Sequence, residues 1–131
     1  ARRSDWRPTL TAEQDSVQAA LAREIRDAGR EPPSVGELES RFGSGVSGLL
    51  RLLERRGEIV LVEGERYFDR GVLEHLIGDL RTRMEAGREY GPGEMRDVIG
   101  VSRKYLIPLL EYCDRVGVTE RRIGGRALAG T

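Results

Sequence analysis

Apolar positions along the chain keep two rhythms, one of three and four residues and one of two. Val17, Leu21, Ile25 and Ala28 follow at intervals of four, four and three, the stripe of an amphipathic helix. Thr11 opens it with Gln14 three residues on, a capping-box spacing, and Gly29 closes it. Pro32-Pro33 forces an extended link. Ser34 then caps a short helix with Glu37 at its third position, ended by Gly43. Val46, Leu49, Leu50 and Leu53 stripe a third helix that stops at Gly57. Ile59-Val-Leu-Val62, Glu63-Gly64 and Arg66-Tyr-Phe68 read as strand, tight turn and strand.

The same order then recurs. Val72, Leu73, Leu76, Ile77, Leu80 and Met84 stripe a helix ending near Gly87, and Pro92 suits the first position of a short helix running to Gly100. Ser102 caps the next, with Leu106, Leu109, Leu110 and Cys113 facing inward as far as Gly117. Val118 to Arg122 and Arg126 to Ala129, joined through Ile123-Gly-Gly125, make a second hairpin. The repeat is legible residue by residue. Gly36, Glu37, Leu38 and Gly43 match Gly93, Glu94, Met95 and Gly100 at an offset of 57. Leu49, Leu50, Gly57 and Arg66 match Leu109, Leu110, Gly117 and Arg126 at an offset of 60. The second copy therefore carries three extra residues, between Gly100 and Leu106, around Val101-Ser-Arg-Lys-Tyr105.

Three helices followed by a two-stranded hairpin is the winged-helix order. The expected fold class is mainly α with small β-hairpin wings (α+β), as two tandem winged-helix domains at 1–68 and 69–131. No linker separates them, so the pair is expected to be semi-rigid. Trp6 lies outside both copies, and its expected role is packing against the first.

Charge changes this picture only locally. The 131 residues hold 22 basic and 22 acidic side chains, a net charge of zero. Lys104 is the one lysine, and the arginine excess reads as genomic base composition. Residues 101–131 nevertheless hold six cations against Glu111, Asp114 and Glu120. A basic end on a neutral chain still attracts a polyanion, because screening confines charge effects to about 8–10 Å. No apolar run approaches the roughly 20 residues of a membrane span, so no membrane partner is expected.

Little catalytic chemistry is available. One histidine, His75, and one cysteine, Cys113, leave no set of metal ligands and no disulfide. Gly43-Ser-Gly-Val-Ser-Gly48 lacks the lysine of a phosphate-binding loop and reads as a turn. His75 reads as a surface or packing side chain, and Cys113 as a small core hydrophobe. No catalytic residue and no metal site are assigned.

Binding chemistry gathers at Ser102, Arg103, Lys104 and Tyr105, on the start of the helix that a winged helix presents to nucleic acid. A helix N-terminus offers unpaired N–H groups and a positive dipole end, both favourable to phosphate. Arg103, Lys104 and the Ser102 hydroxyl complete a phosphate site. Two roles stand open for Tyr105, stacking on an unpaired base or packing sideways against the first helix. Arg96, on the preceding short helix, joins the set. The wing arginines Arg121, Arg122 and Arg126 are weaker candidates, since strand residues alternate faces. The first copy offers no charge at the matching Gly43-Ser-Gly stretch. It is therefore expected to act as a spacer, and deletion of residues 1–66 to leave binding within about 1 kcal/mol of the pair.

Ser102-Arg-Lys-Tyr-Leu-Ile-Pro-Leu-Leu-Glu-Tyr112, followed by Asp114-Arg-Val-Gly-Val-Thr119 and the arginine-rich wing, resembles the C-terminal end of the bacterial selenocysteine-specific elongation factor. Trp6-Arg-Pro8 and Gly57-Glu-Ile-Val60 extend the resemblance through the first copy. It implies the last two of a string of winged helices, the final one binding the selenocysteine insertion hairpin of an mRNA during UGA recoding. It also implies a cytoplasmic, monomeric, non-enzymatic fragment without cofactor. GTP and Mg belong to the parent's missing GTPase domain, and the ribosome and selenocysteinyl-tRNA are met through the parent. The residues themselves leave a DNA-binding transcription regulator and a protein-docking module as alternatives. Glu111 and Asp114 would repel phosphate deep in a groove, which favours contact through the helix start.

Overall fold

The computed structural model describes residues 11–130, and Trp6 lies outside them. Six helices and two antiparallel hairpins follow one another as α1 (Ala12–Asp27), α2 (Val35–Phe42), α3 (Val46–Arg55), β1 (Ile59–Glu63), β2 (Arg66–Asp69), α4 (Arg70–Arg83), α5 (Pro92–Ile99), α6 (Arg103–Arg115), β3 (Thr119–Arg122) and β4 (Gly125–Leu128). Local chemistry sets most of these bounds. The Thr11 and Ser34 hydroxyls accept the Gln14 and Glu37 amides, while the Gln14 and Glu37 side chains accept the cap residues' own N–H groups. Asp69 ends β2 and caps α4, accepting the Val72 amide at 3.1 Å, so no linker intervenes.

Two clusters of buried side chains hold the chain together. One gathers Leu21, Ile25, Leu38, Val46, Leu49, Leu50 and Leu53 from α1–α3 with Ile59 and Tyr67. The other gathers Leu73, Leu76, Leu80, Met95, Ile99, Leu106, Leu109, Leu110 and Cys113 from α4–α6. Val62 and Phe68 of the first hairpin also belong to this second cluster, with Val60 packed against it. Strand alternation explains the split: Val60 pairs with Phe68, Leu61 pairs with Tyr67, and the two pairs point to opposite faces. The first hairpin is thus sandwiched between the two helical groups, giving Ile59 and Tyr67 to one cluster and Val62 and Phe68 to the other.

Polar contacts fix the remaining angle. The Arg30 guanidinium, from the turn after α1, donates to Asp79 of α4 at 2.6 Å and to the Ile99 carbonyl at the end of α5, also at 2.6 Å. Arg115 of α6 donates to the Val62 carbonyl at 3.0 Å. Among the described residues, no helix is long and apolar enough to cross a membrane.

Candidate nucleic-acid interface

The α5–α6 corner is built by a left-handed glycine. Gly100 closes α5 at φ 75, Val101 is buried, and Ser102 is extended at φ −73, ψ 163 before α6 begins. Helices α3 and α6 both start three residues after their closing glycine, yet α6 has 13 residues and α3 has 10. Their inward leucines match at the larger offset, so the three extra residues form an added first turn on α6: Arg103, Lys104 and Tyr105. Pro108 sits within the helix without breaking it, leaving the exposed Lys104 carbonyl without its usual amide partner.

This turn divides its side chains between solvent and the first half. Arg103 and Lys104 are exposed, and neither forms an ion pair among the described residues. Arg96, exposed on α5, comes beside Arg103, and the two line an open cleft of about 320 Å³ with Pro92, Gly93 and Leu106. Two guanidinium groups on one cleft, neither ion-paired to a carboxylate among the described residues, are chemically suited to an anion and to a planar group between them.

Tyr105 turns the other way. Its hydroxyl donates to the Pro32 carbonyl at 3.3 Å, and the Arg66 guanidinium stands 4.8 Å from its ring centroid. Arg66 also donates to the Tyr105 oxygen at 3.4 Å and to Pro32 at 2.7 Å. The sideways packing is therefore the arrangement seen, against the α1–α2 link and β2 rather than against the first helix. Ser102 occupies the cap position without the expected cap: its hydroxyl accepts no helix amide. Its own N–H donates to the Glu31 carboxylate at 2.6 Å. That bond, then one from the Ser102 hydroxyl, then the charge of Lys104, hold Glu31 below the ordinary glutamate range. A carboxylate from the first half thus stands where a phosphate was expected.

The wing arginines also part company. Arg126 is pinned by Asp114 at 3.0 Å with its side chain only 11% exposed, and Asp114 further accepts the Thr119 hydroxyl at 2.6 Å. Arg122 pairs with Glu120 at 2.7 Å. Arg121 alone of the three is exposed. His75 is exposed on α4, and burial pushes the Cys113 thiol up to about 12, which leaves it a core hydrophobe. No cluster of metal-ligating side chains occurs among the described residues. Glu31, Pro32 and Arg66 are the members of this corner that the sequence did not announce. They lie about 40 to 70 residues away from it, and only the packing of the halves brings them there.

Residues 83–128 match the family described as elongation factor SelB, winged helix. The chain resembles the C-terminal winged-helix part of SelB. It is 29% identical over 116 residues to the selenocysteine-specific elongation factor of Desulfomicrobium baculatum, covering 86% of this chain and 18% of that protein. It is 30% identical over 97 residues to that of Escherichia coli (strain K12), covering 72% and 16%. The chain therefore spans less than a fifth of these SelB relatives. Among solved structures it is similar to the mRNA-binding domain of E. coli SelB in complex with SECIS RNA, with TM-score 0.69 and 27% identity over 92% of this chain and 99% of that one. A bacterial elongation factor EF-Sec shares the fold at TM-score 0.65 and 22% identity, over 90% of this chain and 18% of that one.

Proposed function

We propose that this chain is an RNA-recognition part of a selenocysteine-specific elongation factor, two tandem winged-helix domains of which the second grips an mRNA insertion hairpin. The observation that carries the reading is the added first turn of α6. It places Arg103 and Lys104 in solvent and Arg103 against Arg96 across an open cleft, and α3 has no such turn. The likeness to a SelB domain solved with SECIS RNA supports an RNA hairpin as the anion. Arg103, Lys104, Arg96 and Arg121 are the contacts, with Tyr105 and Ser102 holding the helix start against the first half. In this reading the chain performs no catalysis and holds no cofactor. A nucleotide-binding domain, the ribosome and selenocysteinyl-tRNA act with it in the cytoplasm. Glu111, exposed further along α6, would meet phosphates if the helix lay along a DNA groove, which weighs against a DNA regulator.

The test is a fluorescence-anisotropy titration of the full chain with a bulged RNA hairpin and with duplex DNA of equal charge. Arg103→Ala is expected to cost about 1–3 kcal/mol and to relax sequence preference, and Lys104→Ala to weaken all hairpins alike. Together they should flatten the salt dependence by nearly two units of slope. A folded double variant with an unchanged slope, or equal affinity of the parent for DNA and RNA, would overturn the reading.

A further inference from the structure

The tip of the second hairpin carries Ile123, a fully exposed branched apolar side chain. Nothing in the backbone asks for it. Turn tips ordinarily carry Gly, Asn, Asp or Ser, and a β-branched residue contributes nothing to a turn that any residue with negative φ can make. The tip is also held rigidly. The Gly124 amide donates to the Glu89 carboxylate at 2.8 Å, and Tyr90 and Arg126 exchange backbone hydrogen bonds at 2.8 and 2.9 Å. Gly125, at φ 139, lies so close to the Tyr90 carbonyl that no side chain fits between them. The loop that braces the tip runs straight into Gly91, Pro92 and Gly93, and the last two line the cleft of Arg96 and Arg103. One loop thus joins cleft and wing tip, with the exposed Arg121 two residues before Ile123.

Resting on the RNA reading above, we propose that Ile123 is a second contact to the same RNA, packing on ribose faces in the stem's minor groove while Arg121 meets a flanking phosphate. The A-form minor groove is wide and shallow and displays riboses to a projecting side chain, whereas the deep, narrow major groove does not admit one. Apolar side chains, Ile among them, are used by DNA minor-groove binders to grip a groove. An apolar contact adds affinity without releasing counterions, so its signature differs from that of an arginine.

The experiment compares Ile123→Asn with the parent chain by anisotropy. One probe is a bulged RNA hairpin on a long stem, and the other is the same loop closed by a minimal stem. Asn is at home in a turn and Ile123 touches no core, so an unchanged melting curve checks the fold. Ile123→Asn is expected to weaken the long-stem hairpin about tenfold with an unchanged salt slope. The minimal hairpin should bind as before. Arg121→Ala is expected to lower the slope by about one unit on the long stem only. Parent-like affinity of Ile123→Asn for the long stem, or an equal loss on both hairpins, would overturn the wing contact. If Arg103→Ala still loses affinity in those cases, the RNA reading survives. If the parent binds neither hairpin, that reading falls first.

Discussion

Phe68 belongs by sequence to the first hairpin and by packing to the second core, where it is 1% exposed. Replacing it with alanine removes a whole ring from between β1–β2 and α4–α6. Buried Phe→Ala changes cost about 3–5 kcal/mol, through lost transfer energy and an uncollapsed cavity. The upper half of that range is expected, because the hairpin is packed on both faces and cannot sink into the hole. Against a total stability of about 5–15 kcal/mol, and at about 3–5 °C per kcal/mol for a chain of this size, Tm should fall by about 12–25 °C. The informative control is its neighbour Tyr67, 9% exposed on the opposite face. Urea unfolding gives the magnitude, and amide hydrogen exchange gives the location. Phe68→Ala should cost protection chiefly in α4 and α6, and Tyr67→Ala chiefly in α1 and α3. A fragment of residues 69–131, deprived of both Val62 and Phe68, should lack a cooperative transition. A loss below about 1 kcal/mol for Phe68→Ala, or a fragment as stable as the whole, would refute the shared-hairpin account.

Two further perturbations probe the corner and the wing. Gly125→Ala must seat a side chain against the Tyr90 carbonyl at φ 139 and should cost more than about 2 kcal/mol. Gly64→Ala, in the first hairpin's turn with open space around it, should stay within about 0.5 kcal/mol, and equal melting temperatures would contradict this. Glu31, whose carboxyl the Ser102 amide holds below the ordinary 4.5, adds to the hold between the halves wherever it is ionised. Because its folded pKa is lowered, that contribution is complete above the unfolded value and is lost as pH falls through the folded one. An NMR titration should place the Glu31 midpoint below 4.5 with the Ser102 amide shift following it. Glu31→Gln should abolish that amide response, and a midpoint at or above 4.5 would remove the bond.

Elements and their ends were legible because their causes are local. The Thr11 and Ser34 boxes, Pro92 at a helix start and Gly100 at a helix end act within four residues, and each stands where the pattern of polar and apolar positions put it. The Ser102 cap misled for a reason that is not local: both its N–H and its hydroxyl are turned to a carboxylate 71 residues away. The exposed Arg103 and Lys104 were legible too, since they stand ahead of the apolar stripe of α6 and the repeat marks them as an insertion. Arg96 was legible as a candidate, while its approach to Arg103 needed the α5–α6 packing.

The sequence by itself determined two rounds of three helices and a hairpin, the inward stripes of the four longer helices, and the charged first turn of α6. These follow from periodicity and capping, which depend on neighbours along the chain. Only the tertiary structure decided which core the first hairpin serves, which way Tyr105 faces, and which arginines are spent on internal pairs. Ile59-Val-Leu-Val62 and Tyr67-Phe68 did carry a trace of the first decision, since an unbroken apolar run on a strand has two faces to bury. Arg126 and Arg121 carried no such trace. They stand opposite each other in the same ladder, and what separates them is Asp114, brought within 3.0 Å of one by the packing of α6 on the wing.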